Sequence, residues 1–184
     1  MESCWFIKNA LSKQEVIDLN NLIENNYECI EPLETGARTD EGNIKKNFQP
    51  KGISWGKVKS NLEDTVDKIY SINQQVIGCD LFEMRNDNPI LLNEYTTKKK
   101  YDWHIDGSAS DKFDVKLTAL INMSTEPYSG GKFEIQFNNQ QHVRELDDTG
   151  SLVIIRSHTL HRVTPVTKGT RKSLTIFLSG PKWR

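Results

Sequence analysis

The sequence has little cysteine and no long apolar run, and each shortage excludes a class of protein. The three cysteines, Cys4, Cys29 and Cys79, are odd in number, widely spaced and without a Cys-x-x-Cys pair, which argues against a disulfide framework. No apolar run approaches the roughly twenty residues that span a bilayer. The opening residues also lack the basic and apolar regions of a signal peptide. We therefore expect a reduced, soluble protein of the cytoplasm.

An excess of charge is also missing. The 184 residues include 24 basic and 25 acidic side chains, which gives a formal charge of −1. Such a balanced chain has no global field to draw it onto nucleic acid or an anionic membrane. Its length suffices to bury a core without disulfides or structural metals. We expect one domain over residues 1–184, with one site.

The first 78 residues predict helices that support a sheet, and a long loop. After a short strand, "CWFIK", the run "LSKQEVIDLNNLIENN" has apolar residues at helical spacing, with Ser12 and Glu15 placed as a capping box. Residues 27–56 are polar and aperiodic and contain several prolines and glycines, so they predict a surface loop that could order as a lid. Helical spacing resumes over residues 57–77 and ends at a glycine.

Residues 79–184 change character and predict strands. Short apolar or alternating runs follow one another, separated by turn residues: "LFEM", "ILLNEYTT", "YDWHID", "VKLTALINM", "GKFEIQF", "SLVIIR", "HRVTPV" and "KSLTIFL". Helices first and closely spaced strands afterwards favour an α+β fold, a helix-supported antiparallel sandwich or jelly roll, over an alternating parallel sheet.

Histidine is scarce, so the position of each one matters. His104 lies two residues before Asp106 in an apparent strand, and side chains two apart share a face. His142 lies in a polar segment and is expected to be a solvated surface residue. If "HRV" opens a strand, His161 points inward while His158 belongs to the preceding loop. We therefore favour His161 as a third inward ligand, with His158 as the alternative.

Two imidazoles and one carboxylate form a recognisable ligand set. On neighbouring strands they would occupy one face of a metal octahedron and leave three positions open, which suits non-heme Fe(II) oxygen chemistry. A structural zinc site would need four closed ligands. The plainer alternative is that these are ordinary interior or rim histidines, bonded to backbone groups.

A charged residue on an inward strand face adds a second signal. Arg171, Ser173 and Thr175 face one way in the last strand, and Leu174, Ile176 and Leu178 face the other. A buried guanidinium is costly unless something pairs with it. A bound dicarboxylate would supply that partner, because the planar fork of arginine matches a carboxylate and a nearby hydroxyl adds a hydrogen bond.

Together these motifs resemble the iron and 2-oxoglutarate dependent dioxygenases, and more narrowly the prolyl 4-hydroxylase-like members, including short bacterial and phage hydroxylases. "YTTKKKYDWHID" resembles the Tyr-x-x-Gly-x-x-Tyr-x-x-His-x-Asp run of the family, with Lys98 where glycine is usual. "KLTALINMSTEPYSGGKFEIQF" resembles the central hairpin, and "GSLVIIRSHTLHRVTPVTKGTRKSL" resembles the distal-histidine segment. The likeness covers most of the chain and is strongest over residues 95–182.

The resemblance implies a double-stranded β-helix, a cupin-like jelly roll over residues 79–184, with supporting helices and a lid loop in residues 1–78. It implies that iron is held by His104, Asp106 and His161. It also implies contacts to 2-oxoglutarate from Arg171, Tyr95, Ser173 and Asn122. Tyr101 and Trp103 are expected on the opposite face of their strand from His104, where they would pack.

The implied reaction hydroxylates a substrate with O2 and releases succinate and CO2, with ascorbate as a candidate reductant. The resemblance favours a prolyl residue of a peptide or protein as substrate. A free amino acid or a nucleotide stays open, and the Lys98–Lys100 run would suit an anionic substrate unless it is a solvated turn. An alternative of another class is a non-catalytic cupin-like binding module, which would need neither the inward Arg171 nor the His-x-Asp spacing.

Overall fold

The computed structural model describes residues 4–29, 50–106 and 112–183. Most of the expected lid, residues 30–49, lies outside the described residues. The two ends of the expected loop, which was predicted over residues 27–56, contain the strands Glu28–Cys29 and Lys51–Ser54. The loop prediction was therefore wrong at its ends, where "KGIS" is too short to show a period of its own.

Two helices form where the apolar spacing predicts them. Helix α1 covers Lys13–Asn26, and its capping box is present, because the Ser12 hydroxyl accepts from the Glu15 amide at 3.3 Å while Glu15 accepts from the Ser12 amide at 2.7 Å. Helix α2 covers Trp55–Ile72 and continues as a π-helical turn up to a left-handed glycine. None of the described helices is long and apolar enough to cross a membrane.

The strands are numbered in chain order. They are β1 (Cys4–Ile7), β2 (Glu28–Cys29), β3 (Lys51–Ser54), β4 (Pro89–Tyr95), β5 (Tyr101–His104), β6 (Phe113–Asn122), β7 (Ser129–Gly130), β8 (Phe133–Gln136), β9 (Gln140–His142), β10 (Leu152–Arg156), β11 (Leu160–Val163), β12 (Val166–Lys168) and β13 (Arg171–Pro181).

These strands form a large and a small antiparallel sheet. The large sheet has seven strands in the order β1-β10-β6-β13-β4-β3-β2, and the small sheet has four in the order β5-β11-β8-β9. A two-stranded ribbon pairs β12 with β7. The α+β prediction with antiparallel strands is confirmed. The residues before position 79 contribute the expected first strand, β1, and also β2 and β3, which were not expected, to the large sheet.

The large sheet buries an apolar layer on each face. One layer packs under the helices and includes Leu152 and Ile154 of β10 with Leu174 of β13. The other contains the alternate residues Val153 and Ile155, which pack against side chains of the small sheet. The space between the two sheets is therefore enclosed, and any polar group within it needs a partner.

Two local features depart from the sequence-based expectation. The run "LFEM" is not a strand, because it lies at the end of the large sheet, where the Phe82 amide donates to the Ser179 carbonyl and the Tyr70 hydroxyl donates to the Phe82 carbonyl. Lys98 has a left-handed φ of 71°, the conformation that glycine adopts without strain. The turn thus keeps its glycine-like shape although the residue is lysine.

Candidate metal centre

The three predicted ligand residues lie together between the sheets. His104 ends β5, His161 lies in β11, and the two residues are direct partners across the antiparallel pair. Asp106 follows β5 by two residues. One ligand atom from each of the three lies within 4.8 Å of the others, and His104 and His161 are buried. The Asp106 carboxylate is 3.7 Å from His104 Nε2 and 3.5 Å from His161 Nε2.

Backbone carbonyls orient both imidazole rings. His104 Nδ1 lies 2.7 Å from the Asp102 carbonyl, and His161 Nδ1 lies 2.8 Å from the Thr159 carbonyl. A carbonyl only accepts, so in each neutral ring Nδ1 carries the proton and donates it. The lone pair is then on Nε2, the nitrogen that faces Asp106. This is the usual outer arrangement of metal-binding histidines.

Asp106 is held from two sides. Its amide donates to the Ser157 carbonyl at 2.9 Å, in the turn before β11. The Thr118 hydroxyl, on β6 of the large sheet, donates to Asp106 Oδ2 at 2.6 Å. Thr118 was not predicted from the sequence as a site residue. Its signal was a polar residue on the inward face of a strand whose other residues are mostly apolar.

Replacing Thr118 by valine should weaken binding of Fe(II) about tenfold, because loss of an outer partner of a ligand costs about 10–100-fold in affinity. Valine keeps the shape of threonine and removes only the hydroxyl. Anaerobic Fe(II) titration measures the change. Thr65→Val in α2 is the matched control, since Thr65 is equally buried but bonds to the Ala10 carbonyl. Equal affinities in the two variants would contradict a positioning role for Thr118.

Tyr101 corrects the expectation that it lies on the opposite face of its strand from His104. Its ring stacks on the His104 ring, with centroids 3.5 Å apart and planes at 11°. The cause is a register shift, because β5 uses one more residue than β11 between the pairs His104–His161 and Tyr101–Val163. An extra residue reverses the alternation of faces. Burial raises the pKa of Tyr101 to about 12, so the phenol stays neutral beside the imidazole.

Trp103 and Arg162 lie on the outer face of the small sheet. The Arg162 guanidinium is 4.6 Å from the centroid of the Trp103 ring, and its Nε donates to Glu134 at 2.7 Å. Arg162 therefore points away from its neighbour His161, as expected for adjacent residues of a strand. Trp103 packs against Arg162, as expected for a packing residue, on the outer face of the sheet.

Arg171 lies buried on the face of the large sheet that points toward the small sheet. It is 1% exposed, its Nη1 donates to the Ser173 hydroxyl at 3.0 Å, and its Cζ is 5.4 Å from the centroid of the Tyr95 ring. Among the described residues, Nη2 has no hydrogen-bond partner. A buried guanidinium with an unpaired donor is unfavourable in an otherwise apolar interior. A carboxylate bound beside it would remove that cost, so the donor set fits an anionic ligand.

Two neighbours shape the space around Arg171. Gly131 has a φ of 59°, and a Cβ there would lie 3.0 Å from Arg171 Cδ, so the absence of a side chain leaves room for the arginine. Tyr95 is the partner of Arg171 across the β4–β13 pair. Burial raises the pKa of Tyr95 above its usual value, against a smaller opposing effect of Arg171. The Tyr95 phenol therefore stays protonated near neutral pH.

Asn122 is placed differently from the expectation. Its amide nitrogen donates to the carbonyls of Leu146 and Asp147 at 3.0 and 2.8 Å, and its amide oxygen accepts from the Ser124 amide at 2.9 Å. The side chain thus holds two loops together. The proposed contacts to a dicarboxylate therefore rest on Arg171, Ser173 and Tyr95.

The two remaining histidines lie outside the ligand group. His142 is at the edge of the small sheet, and its Nε2 is 2.9 Å from Asp147 Oδ1. His158 is exposed in the turn between β10 and β11, and its ring meets the ring of Trp183 edge-on. Of the two candidates in "SHTLHRV", the structure groups His161 with His104 and Asp106.

Comparisons with known proteins agree with this geometry. Residues 90–179 match the family described as the 2OG-Fe(II) oxygenase superfamily. A PKHD-type hydroxylase of Gloeothece citriformis is 30% identical over 132 residues, which are 70% of this chain and 57% of that relative. The PKHD-type hydroxylase YbiX of Escherichia coli is 28% identical over 181 residues, which are 95% of this chain and 77% of the relative. The chain thus spans little more than half the length of the first relative.

Solved structures share the fold over almost the whole chain. A Pseudomonas putida prolyl-4-hydroxylase superposes with a TM-score of 0.71 at 20% identity and covers 99% of this chain and 95% of its own. A viral collagen prolyl hydroxylase from Paramecium bursaria Chlorella virus-1, solved with 2-oxoglutarate, gives 0.65 at 16% identity, covering 97% of each chain. A Trichoplax adhaerens prolyl hydroxylase, solved with a hypoxia inducible factor peptide, gives 0.65 at 17% identity, covering 96% of this chain and 83% of its own. This likeness confirms the predicted double-stranded β-helix core.

Proposed function

Because the chain belongs to the 2OG-Fe(II) oxygenase superfamily, we propose that it hydroxylates a prolyl residue of a peptide or protein, with Fe(II) and 2-oxoglutarate as cofactors. One observation carries the proposal. A His-Asp-His group, with both histidines buried, shares the space between the sheets with a buried arginine that has an unpaired donor. A metal-binding group alone is compatible with many folds and activities, whereas the added unpaired guanidinium selects a carboxylate ligand.

The site residues form two groups, one for the metal and one for the cosubstrate. His104, Asp106 and His161 would hold Fe(II), and Arg171 with Ser173 would hold the distal carboxylate of 2-oxoglutarate. With O2, this centre supplies the oxidative decarboxylation of 2-oxoglutarate to succinate and CO2 and the hydroxylation of the substrate.

The contribution of the protein is position and electrostatics. The Asp102 and Thr159 carbonyls fix the imidazole tautomers, and Thr118 fixes one carboxylate oxygen of Asp106. Such preorganised groups need not rearrange when the cofactors bind. The apolar layer between the sheets excludes water, which strengthens the charge-assisted bonds at Arg171.

Arg171 also accounts for selection of a dicarboxylate. The interior compensates poorly for its buried charge, so a ligand with one carboxylate at the metal and another at the guanidinium neutralises it. A 2-oxo acid without the second carboxylate, such as pyruvate, would leave Nη2 unpaired. We therefore expect the site to reject pyruvate as a cosubstrate.

A peptide substrate is supported by the proteins of similar fold. The three solved structures described above are prolyl hydroxylases, and one holds a peptide. In this chain Lys100 is paired with Asp102 at 2.6 Å, and the backbone amides of Lys98 and Lys99 donate to the carbonyls of Val166 and Thr96. The Lys98–Lys100 run is thus a structured turn, and the ammonium of Lys100 already has a carboxylate partner.

The test has two stages, so that cofactor and substrate are judged separately. Anaerobic addition of Fe(II) and 2-oxoglutarate should produce the weak visible charge-transfer band of the chelate, and pyruvate should not. Aerobic reactions with ascorbate as reductant are then run on proline-containing peptides and on the same peptides with alanine for proline. We expect succinate and a mass gain of one oxygen atom with the proline peptides alone. Equal turnover of both sets would reject the prolyl substrate and retain the oxygenase, whereas absence of the band would reject the cofactor site.

A further inference from the structure

A half-exposed tryptophan follows the last strand, and its ring contacts the turn that precedes β11. Trp183 is 52% exposed, which is unusual for a side chain whose backbone and ring are both held by specific contacts. The chemistry proposed above does not use it.

Three contacts fasten Trp183 in place. Its amide donates to Asp114 Oδ2 at 2.7 Å, and the neighbouring Lys182 ammonium pairs with Asp114 Oδ1 at 2.9 Å. The Lys116 ammonium lies 3.5 Å from the centroid of the indole, over one face of the ring. The His158 ring meets it edge-on, with centroids 5.9 Å apart. The indole is therefore fixed although half of it faces solvent.

These contacts tie Trp183 to the elements that hold the ligand residues. His158 follows Ser157, whose carbonyl accepts the amide of Asp106. The residue after His158 is Thr159, whose carbonyl orients His161. The turn under the indole thus bonds to two of the three ligand residues. Asp114, the anchor of the tryptophan backbone, lies on β6, the strand that also carries the Thr118 partner of Asp106.

We propose that the Trp183 indole is the platform on which the pyrrolidine ring of the substrate packs during hydroxylation. This inference rests on the proposed prolyl hydroxylase function and names a specificity residue for it. Proline-rich segments bind characteristically to aromatic side chains held rigidly at a surface, because the ring of proline is apolar and its backbone is already ordered. A fixed indole loses little conformational entropy on binding. Lys116 occupies one face of the ring, so the substrate uses its exposed part.

A structural role is the competing explanation, in which Trp183 only covers the 4% exposed Lys116. The two explanations differ in what a proline peptide does to the indole. The chain has four tryptophans, Trp5, Trp55, Trp103 and Trp183, so each can be observed by fluorine NMR after labelling with 5-fluorotryptophan. The Trp183 signal is assigned by its loss in Trp183→Phe. Trp103, on the outer face of the small sheet, is the internal control.

The probe is a short polyproline peptide, compared with a glycine–serine peptide of equal length, on the full chain with Fe(II) and 2-oxoglutarate under nitrogen. Polyproline should shift the Trp183 signal and leave Trp103 unchanged, and the glycine–serine peptide should shift neither. An unmoved Trp183 signal overturns the proposal, whatever the activity of the protein.

Kinetics give a second, independent readout. Trp183→Ala should raise the KM for the proline peptide about tenfold with kcat nearly unchanged, because the variant loses the aromatic contact to the peptide and keeps the ligand residues. The backbone anchor to Asp114 remains in this variant, so the segment keeps its place. Trp103→Ala should leave KM unchanged. Unchanged KM in Trp183→Ala, with hydroxyproline still formed, rejects the platform and retains the proposed function. A shifted Trp183 signal without succinate from any proline peptide rejects the prolyl reaction and retains the platform.

Discussion

Replacing His161 by alanine should abolish succinate formation, while replacing His142 by alanine should leave it unchanged. His161 is one of three residues whose ligand atoms lie within 4.8 Å of one another, whereas His142 is bonded to Asp147 at the edge of the small sheet. We expect a loss of more than about 100-fold, since even an outer partner of a metal ligand contributes up to about 100-fold. Succinate release and the anaerobic visible band measure the two consequences.

Asp106→Asn sharpens this test because it keeps the size of the side chain and removes its charge. The Thr118 hydroxyl can still donate to the amide oxygen, so the fold should persist while the affinity for Fe(II) falls. Thermal unfolding of the iron-free variants checks that they are folded. Normal turnover in His161→Ala would refute the ligand assignment, and His158, three residues earlier in the chain, would then be the next residue to replace.

Arg171→Met should separate cosubstrate binding from stability. We expect the KM for 2-oxoglutarate to rise about 30-fold or more, because removing one partner of a buried charge pair costs about 2–5 kcal/mol. Without 2-oxoglutarate the same variant should unfold at an equal or higher temperature, since an unpaired buried charge is replaced by an apolar side chain of similar length. Steady-state kinetics and thermal unfolding in the absence of the cosubstrate give the two values.

A higher KM for 2-oxoglutarate together with an equal or higher unfolding temperature would identify Arg171 as a residue that binds the cosubstrate. Arg162→Met is the matched control, because Arg162 lies on the outer face and pairs with Glu134, so its loss should not change the KM for 2-oxoglutarate. Arg171→Lys should be intermediate, since it keeps the charge and loses the planar fork. If Arg171→Met unfolded at a lower temperature with an unchanged KM, the arginine would be structural and the carboxylate site would be rejected.

Features with a clear local cause were predictable from the sequence. Helix α1 was predicted because Ser12 and Glu15 form a capping box at the start of an apolar helical pattern. The inward position of Arg171 followed from the alternation of faces in β13, where Leu174, Ile176 and Leu178 face the helices. The grouping of His104 with His161 needed one further step, the assumption that both begin or end neighbouring strands.

Features that depend on distant contacts were not predictable. The extra residue in β5 turns Tyr101 onto the face of His104, and nothing in "YDWHID" marks a register shift. Asn122 is a polar residue of the kind that contacts ligands, but its amide nitrogen donates to a carbonyl more than twenty residues away in the chain. Thr118 acquires its role only because the large sheet brings it beneath Asp106. In each case the partner is set by the tertiary fold, which overrides the local pattern.

The position of Asp106 between the sheets links iron supply to the survival of the folded chain. Both histidines belong to the small sheet, while Asp106 is also bonded to Thr118 of the large one, so an ion held by all three residues fastens the two layers together. A ligand that binds only the folded state raises the free energy of unfolding as its concentration rises. If iron is held by all three residues, we therefore expect the iron-free chain to unfold at a lower temperature, and to be cleaved faster by an added protease, than the iron-loaded chain.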